Sequence, residues 1–212
     1  MIYTHILWDF NGTILDDVAV GIDSVNVLLR KRGISELSSV EQYRKAFGFP
    51  IIEYYKRIGF DFSKEPFSKV AVEWVDEYLS RVPSAKVNAG ALEMLGLFKK
   101  SGLKQILVSA TEEKMLKKQL ADLGLLRFFD EILGLDNIHA VDKTSVAKAW
   151  RERNKCAKAI FVGDTDHDFE TARAVDAECV LYSGGHQSVD RLKKLGAKII
   201  GELSELESIV LG

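Results

Sequence analysis

Apolar residues follow two rhythms along this chain, and the rhythms alternate. Residues 4–9, 105–109, 159–164 and 179–182 are short runs apolar at successive positions, as in Ile6-Leu7-Trp8 and Ile160-Phe161-Val162. Strands buried on both faces of a parallel sheet read this way. Residues 131–134 and 198–200 have the same form. Between them, residues 91–100, 112–123 and 144–153 carry apolar positions at helical spacing, the first two closing at Gly102 and Gly124. Strands that alternate with helices of this length predict βαβ units, hence an α/β fold with a doubly wound, Rossmann-like parallel sheet.

The alternation fails between Asp17 and Val82, where no strand pattern occurs. Val18, Ile22, Val25, Leu28 and Leu29 mark one helix that stops at Gly33. The run Ser38-Ser39-Val40-Glu41 has the form of a capping box opening a helix to Phe47. Residues 51–58 and 67–82 supply two more helices, the last stopped by Pro83. The sequence therefore predicts a discontinuous core, residues 1–15 and 85–212, interrupted by an all-helical cap domain over residues 16–84.

The 212 residues are 47% hydrophobic and 28% charged, an ordinary globular composition that needs no disulfide or metal to fold. Twenty-nine Lys+Arg against 31 Asp+Glu give a net charge of −2, so no broad positive field invites nucleic acid. Two cysteines, Cys156 and Cys179, are neither a disulfide framework nor a redox motif. The first residues lack the basic and apolar regions of a leader, and no apolar run reaches the ~20 residues of a membrane helix. The expectation is a cytoplasmic protein without membrane partners.

Ligands of open α/β sheets bind beyond the carboxyl ends of the strands, so the residues there carry the chemistry. The first strand ends in Asp9-Phe10-Asn11-Gly12-Thr13. A second ends in Ser109-Ala110-Thr111. Lys143 opens a helix, and a further strand ends in Gly163-Asp164-Thr165-Asp166-His167-Asp168. Carboxylates, a hydroxyl and an ammonium converging on one rim can hold a hard divalent cation and a phosphate together.

In order and context, Asp9-Phe10-Asn11-Gly12-Thr13, Ser109, Lys143 and Asp164 with Asp168 resemble the four motifs of the haloacid dehalogenase-like phosphohydrolases. The resemblance spans nearly the whole chain, with the helical insertion where that family carries a cap. It implies that Asp9 is the nucleophile of an aspartyl-phosphate mechanism. It implies that Ser109, the backbone at Ala110 and Lys143 bind the phosphoryl group. Magnesium would be held by Asp9, Asp164, Asp168 and the backbone carbonyl of Asn11. The implied substrate is a small phosphorylated metabolite, with phosphoglycolate suggested for a helically capped member, and the loop Phe47-Gly48-Phe49-Pro50 is the candidate selectivity element.

One position departs from the family pattern. Asn11 stands where those phosphatases usually place a second aspartate, which protonates the leaving alcohol and then activates water. An amide cannot exchange that proton at neutral pH, and losing a general acid–base costs ~10²–10⁴ in rate. The enzyme is then slow and suited to good leaving groups, or uses another donor such as Asp16, Asp17 or a cap residue, or binds a phosphometabolite with little turnover. On the first reading Asn11→Asp raises hydrolysis about tenfold or more. Phosphonoacetaldehyde hydrolases also lack that aspartate but need a cap lysine. The nearest here are Lys45 and Lys56.

Plainer readings stand beside each motif residue. Asp9 could be a turn residue, Ser109 or Thr111 a helix cap, Lys148 an alternative to Lys143, and Asp168 a charge at a helix start. Asp164, Asp166 and Asp168 alternate like a calcium loop, but Phe169 replaces its glycine and Val175 its glutamate. His5, His139, His167 and His186 show no zinc spacing. Structural or surface roles are the plainer reading of all four, with a place near the mouth of the site the lesser alternative for His186, which follows a core strand.

Overall fold

The computed structural model describes residues 2–135 and 142–212, so His139 lies outside the described residues. The sheet core starts with β1 (His5–Trp8). The chain then forms the short β2 (Leu15–Asp16) and four helices, α1 (Val18–Lys31), α2 (Val40–Ala46), α3 (Ile51–Arg57) and α4 (Phe67–Arg81). It returns through β3 (Lys86–Val87) to α5 (Ala91–Lys100), β4 (Lys104–Glu112), α6 (Glu113–Asp122) and β5 (Glu131–Leu135). The last part comprises α7 (Lys143–Arg153), β6 (Ala159–Gly163), α8 (Asp166–Ala174), β7 (Glu178–Tyr182), α9 (Val189–Leu192), β8 (Lys198–Ile200) and α10 (Leu206–Leu211).

Six parallel strands form one sheet in the order β5-β4-β1-β6-β7-β8. Alternation along each strand sends side chains to two cores. Ile6, Trp8, Leu107, Ile160 and Val162 pack with Met94 and Phe98 of α5, Leu116 and Leu120 of α6, and Leu206 of α10. Leu7, Ile106, Val108 and Phe161 pack on the other face with Ala147 and Trp150 of α7 and Ala172 of α8. Burial on both faces is why these strands read as continuous apolar runs.

The four inserted helices have a core of their own, with Val25, Leu28 and Leu29 of α1, Tyr43 of α2, Tyr54 and Tyr55 of α3 and Val70 of α4. The insert leaves and returns at one place, because β2 and β3 pair antiparallel, Leu15 opposite Val87 and Asp16 opposite Lys86. Asn88 reinforces the junction. Its N–H donates to Ile14 O at 2.8 Å and its Nδ2 to Thr13 O at 2.9 Å.

Two local expectations shift by a few residues. The cap of α2 is Ser39, whose Oγ accepts from Gln42 N–H at 3.1 Å, while the Gln42 side chain returns to Ser38 N–H at 2.9 Å. The cap is thus one residue later than the Ser38–Glu41 spacing suggests, and because the Gln42 side chain bonds Ser38 N–H instead of the N–H of the cap itself, the expected reciprocal box does not close. Strand β4 runs on past Ser109 to Glu112 through a register shift against β5. Glu112 rather than Ser109 or Thr111 then caps α6, accepting from Met115 N–H.

Candidate active site

Parallel register brings the motif residues together. Trp8 pairs with Leu107 on β4 and with Val162 on β6. Asp9, one step further, therefore emerges between the strand ends that carry Ser109 and Asp164, and its N–H donates to Val162 O at 2.8 Å. The sheet order reverses here, since β4 lies on one side of β1 and β6 on the other, which makes this the crevice of the fold.

Lys143, first residue of α7, is 4% exposed, and its Nζ donates to both Asp9 Oδ1 and Asp168 Oδ1. Lys148, further along the same helix, is exposed. Asp168 holds two posts at once. Its Oδ2 accepts from Asp164 N–H (3.1 Å), Thr165 N–H (2.9 Å) and Thr165 Oγ1 (2.6 Å), closing a capping box at the start of α8. Asp164 accepts from Thr13 Oγ1 at 3.2 Å and from His186 N–H at 2.6 Å. Oxygens of Asp9, Asp164 and Asp168 lie within 4.8 Å of one another. Ser109 is buried, its Oγ accepting from Thr111 N–H at 3.1 Å, while Ala110 is exposed beside it.

Among the described residues, every buried charged side chain belongs to this rim. They are Asp9, Asp17, Asp164 and Asp168 against Lys143 and His186. Four carboxylates facing two cations leave the rim two positive charges short. Burial, with the charges of Asp168 and Asp164, pushes the Asp9 carboxyl well above the usual range despite Lys143. Burial pushes Asp164 up to about 6, although His186 opposes it. Asp168 goes the other way. Against burial, the Lys143 ammonium and the Thr165 hydroxyl hold it low. A clustered set of hard oxygen donors lacking two positive charges fits a divalent cation of the magnesium kind.

Asn11 is held at three points. Its Nδ2 donates to Asp17 Oδ2 at 2.9 Å and to the Tyr78 hydroxyl at 2.7 Å, and its Oδ1 accepts from Thr111 Oγ1 at 3.2 Å. Asp16 is exposed on β2. Asp17 is 2% exposed, yet against that burial the His186 cation and the Tyr78 and Asn11 donors keep its carboxyl below the usual value.

The inserted helices are closed down on this rim. His186 Nδ1 and the Tyr43 hydroxyl of α2 share a hydrogen bond of 2.8 Å. Arg44 donates to the carbonyls of Gly185 (2.7 Å) and Gly184. Arg191 reaches back to Phe47 O at 3.1 Å, and the Phe49 ring lies 4.6 Å from that of His167. The expected loop 47–50 is therefore at the interface, but Tyr43, Arg44, Tyr78 and Arg191 were not foreseen. Each is tied to a partner at least 67 positions away, for which local spacing gives no signal. Lys45 and Lys56 are half-exposed or more and pair with Glu41 and Glu53 on their own helices. They supply no lysine to the site.

A doubly wound sheet with a lysine and an acid cluster at its carboxyl edge, closed by a helical insert, defines a class of hydrolytic enzymes. The sequence profile of the haloacid dehalogenase-like hydrolases matches residues 6–182, and the chain belongs to that family. It is 26% identical over 197 residues, 90% of its length and 86% of the relative, to PpaX of Caldanaerobacter subterraneus, a protein that bears the name of a pyrophosphatase. It is 25% identical over 194 residues, 85% of its length and 70% of the relative, to the phosphoglycolate phosphatase of Pseudomonas savastanoi. The haloacid dehalogenase-like protein SP0104 of Streptococcus pneumoniae has the same fold, with a TM-score of 0.82 over 98% of both chains at 18% identity. The chain is accordingly a hydrolase of the phosphatase kind. No helix among the described residues is long and apolar enough to cross a membrane.

Proposed function

We propose that this chain is a magnesium-dependent phosphohydrolase that cleaves a small phosphorylated metabolite through an aspartyl phosphate on Asp9. The observation that carries the reading is the gathering of every described buried charged side chain at one rim, where oxygens of Asp9, Asp164 and Asp168 lie within 4.8 Å of one another beside Lys143. Residues 16–84 act as the cap over a core of residues 1–15 and 85–212, and the site works in the cytoplasm, where Cys156 and Cys179 stay as free thiols.

Asp9 attacks phosphorus in line, aligned by its backbone bond to β6 and by Lys143. Lys143 offsets charge on the nucleophile and the transferring group, and Ser109 with the backbone at Ala110 binds phosphoryl oxygens. Asp9, Asp164, Asp168 and the Asn11 carbonyl would hold the magnesium ion, which supplies charge neutralisation when bound. Closure of α2 and the loop 47–50 excludes water during transfer. Asn11 has no proton for the departing oxygen, so turnover depends steeply on the acidity of the leaving alcohol or acid. Small phosphomonoesters of the phosphoglycolate type are the substrate class that the relatives support.

The test is hydrolysis of an aryl phosphate, which needs little acid catalysis, with magnesium and with Asp9→Asn as control. Magnesium-dependent release that vanishes in the variant is expected. Release that survives Asp9→Asn overturns the mechanism, and none at all in the native chain overturns the function.

A further inference from the structure

The Asp17 carboxylate is the best-satisfied buried charge where the sheet meets the insert. Its Oδ1 accepts from Gly12 N–H at 2.8 Å and lies 3.1 Å from His186 Nε2. Its Oδ2 accepts from Asn11 Nδ2 at 2.9 Å and from the Tyr78 hydroxyl at 2.6 Å. These partners come from three different parts of the fold, namely the loop after Asp9, helix α4 and the segment after β7. A carboxylate only accepts, so the contact fixes the amide nitrogen of Asn11 on this side, and Thr111 Oγ1 marks the oxygen on the other.

An aspartate at position 11 would meet a different environment. Its oxygen would stand where Nδ2 stands, 2.9 Å from Asp17 Oδ2. Like charges at that distance, shielded from water, repel strongly. Tyr78 has one hydroxyl proton and cannot serve both carboxylates. The residue that position 11 can hold is therefore set by Asp17.

Resting on the phosphohydrolase reading above, we propose that Asp17 is a positioning residue of the site and that Asn11 and Asp17 are a matched pair. The second carboxylate of the loop is carried at 17 instead of 11, and it orients an amide at 11 while fixing the loop through Gly12. Exchanging the two residues preserves the pattern with its sense inverted. An amide at position 17 offers its oxygen to Gly12 and His186, and its nitrogen can donate to a carboxylate at position 11. The geometry thus revises the expectation from sequence: Asn11→Asp alone gains nothing, because the new carboxylate faces Asp17.

The experiment is a double-mutant cycle on the full chain: native, N11D, D17N and N11D/D17N. With magnesium and an aryl phosphate, N11D is expected at or below native kcat/KM and D17N below it. The double variant should exceed N11D by about tenfold or more. A rise of about tenfold in N11D alone, or a double variant no better than the two singles combined, overturns the pairing. Thermal unfolding of the same four chains in chelator gives a readout independent of activity. The double variant should regain most of the Tm that N11D loses, and additive losses overturn the proposal. If the native chain proves inactive, the function fails while this second cycle still judges the pair. Should D17N not fold, Tyr78→Phe replaces it. Its cost in Tm should be larger in N11D than in the native chain, and an equal cost refutes the coupling.

Discussion

The imidazole of His186 offers the most quantitative test of the closed interface. It is 7% exposed and faces charged or titratable groups from each element packed on it. Asp17 precedes α1 and lies 3.1 Å from Nε2, the Tyr43 hydroxyl of α2 lies 2.8 Å from Nδ1, and Asp164 accepts its backbone N–H. Burial alone would favour a neutral ring. The carboxylate of Asp17, with Asp164 and Asp9 behind it, overcomes that and pushes the ring up to about 9 from the usual 6.5.

A raised value means that the folded chain binds this proton more tightly than the unfolded chain does. The stability it contributes is complete below pH 6.5, declines as pH rises, and is gone above about 9. At a tenfold change in proton affinity per pH unit, the span from 6.5 to about 9 is worth on the order of 3 kcal/mol. Asp164 adds a slope of the same sign lower down, because a carboxyl raised from 3.8 to about 6 favours folding while protonated. Asp17 opposes it, being held low, so its contribution is lost as pH falls. Urea unfolding in chelator at a series of pH values separates these windows. The native chain should lose about 3 kcal/mol more than His186→Gln between pH 6.5 and 9. Parallel curves for the two chains would show that the ring is not a buried imidazolium, and the charge count at the rim would fall with it.

Three further perturbations probe separate parts of the site. Lys143→Met leaves Asp9 and Asp168 facing each other without their shared ammonium, and should cost about 3–5 kcal/mol in urea unfolding. Aryl phosphate turnover should drop ~10²–10³-fold in the same variant, and unchanged turnover would remove Lys143 from the mechanism. Gly12→Ala places a methyl group on the His186 ring and the Asp164 carboxylate at a φ of +77°. It should destabilise by about 2–4 kcal/mol, and a melting curve like that of the native chain would contradict the tight turn. Arg44→Ala removes the donors to Gly184 and Gly185 across the closed interface. KM should rise about tenfold with a smaller fall in kcat, whereas an unchanged KM would mean that closure does not depend on this arginine.

What the sequence disclosed and what it withheld divide along a physical line. Strands buried on both faces must be apolar at every position, so β1, β4 and β6 were visible as runs. A parallel register then carries whatever follows those runs to one rim, which is why Asp9, Ser109 and Asp164 group together in the sequence alone. Local competition was less legible. Ser38 and Ser39 are both competent caps, with Glu41 and Gln42 both competent partners, and the choice falls to the phase that turns Tyr43 inward. The interface was not legible at all. Tyr43 reads as one more apolar-face residue of a helix, and its hydroxyl acquires a purpose only when folding carries His186 across 143 positions to meet it.

Asn11 shows the same limit in the chemistry. Read along the chain, it is a carboxylate missing from a motif, and six positions later Asp17 is one acid among 31. Nothing local separates Asp17 from its neighbour Asp16, yet the first is 2% exposed and the second lies open to solvent. The difference is made by β2, whose pairing with β3 turns Asp16 outward and delivers the next residue, at the mouth of α1, under Tyr78 of α4. Burial converts an ordinary surface charge into one that must be matched, because an unmatched charge there costs several kcal/mol. Once Asp17 is inside, its oxygens have to find donors, and an amide at 11 is one of the four that the fold provides. On the pairing proposed above, the amide at position 11 follows from where the helical insert begins.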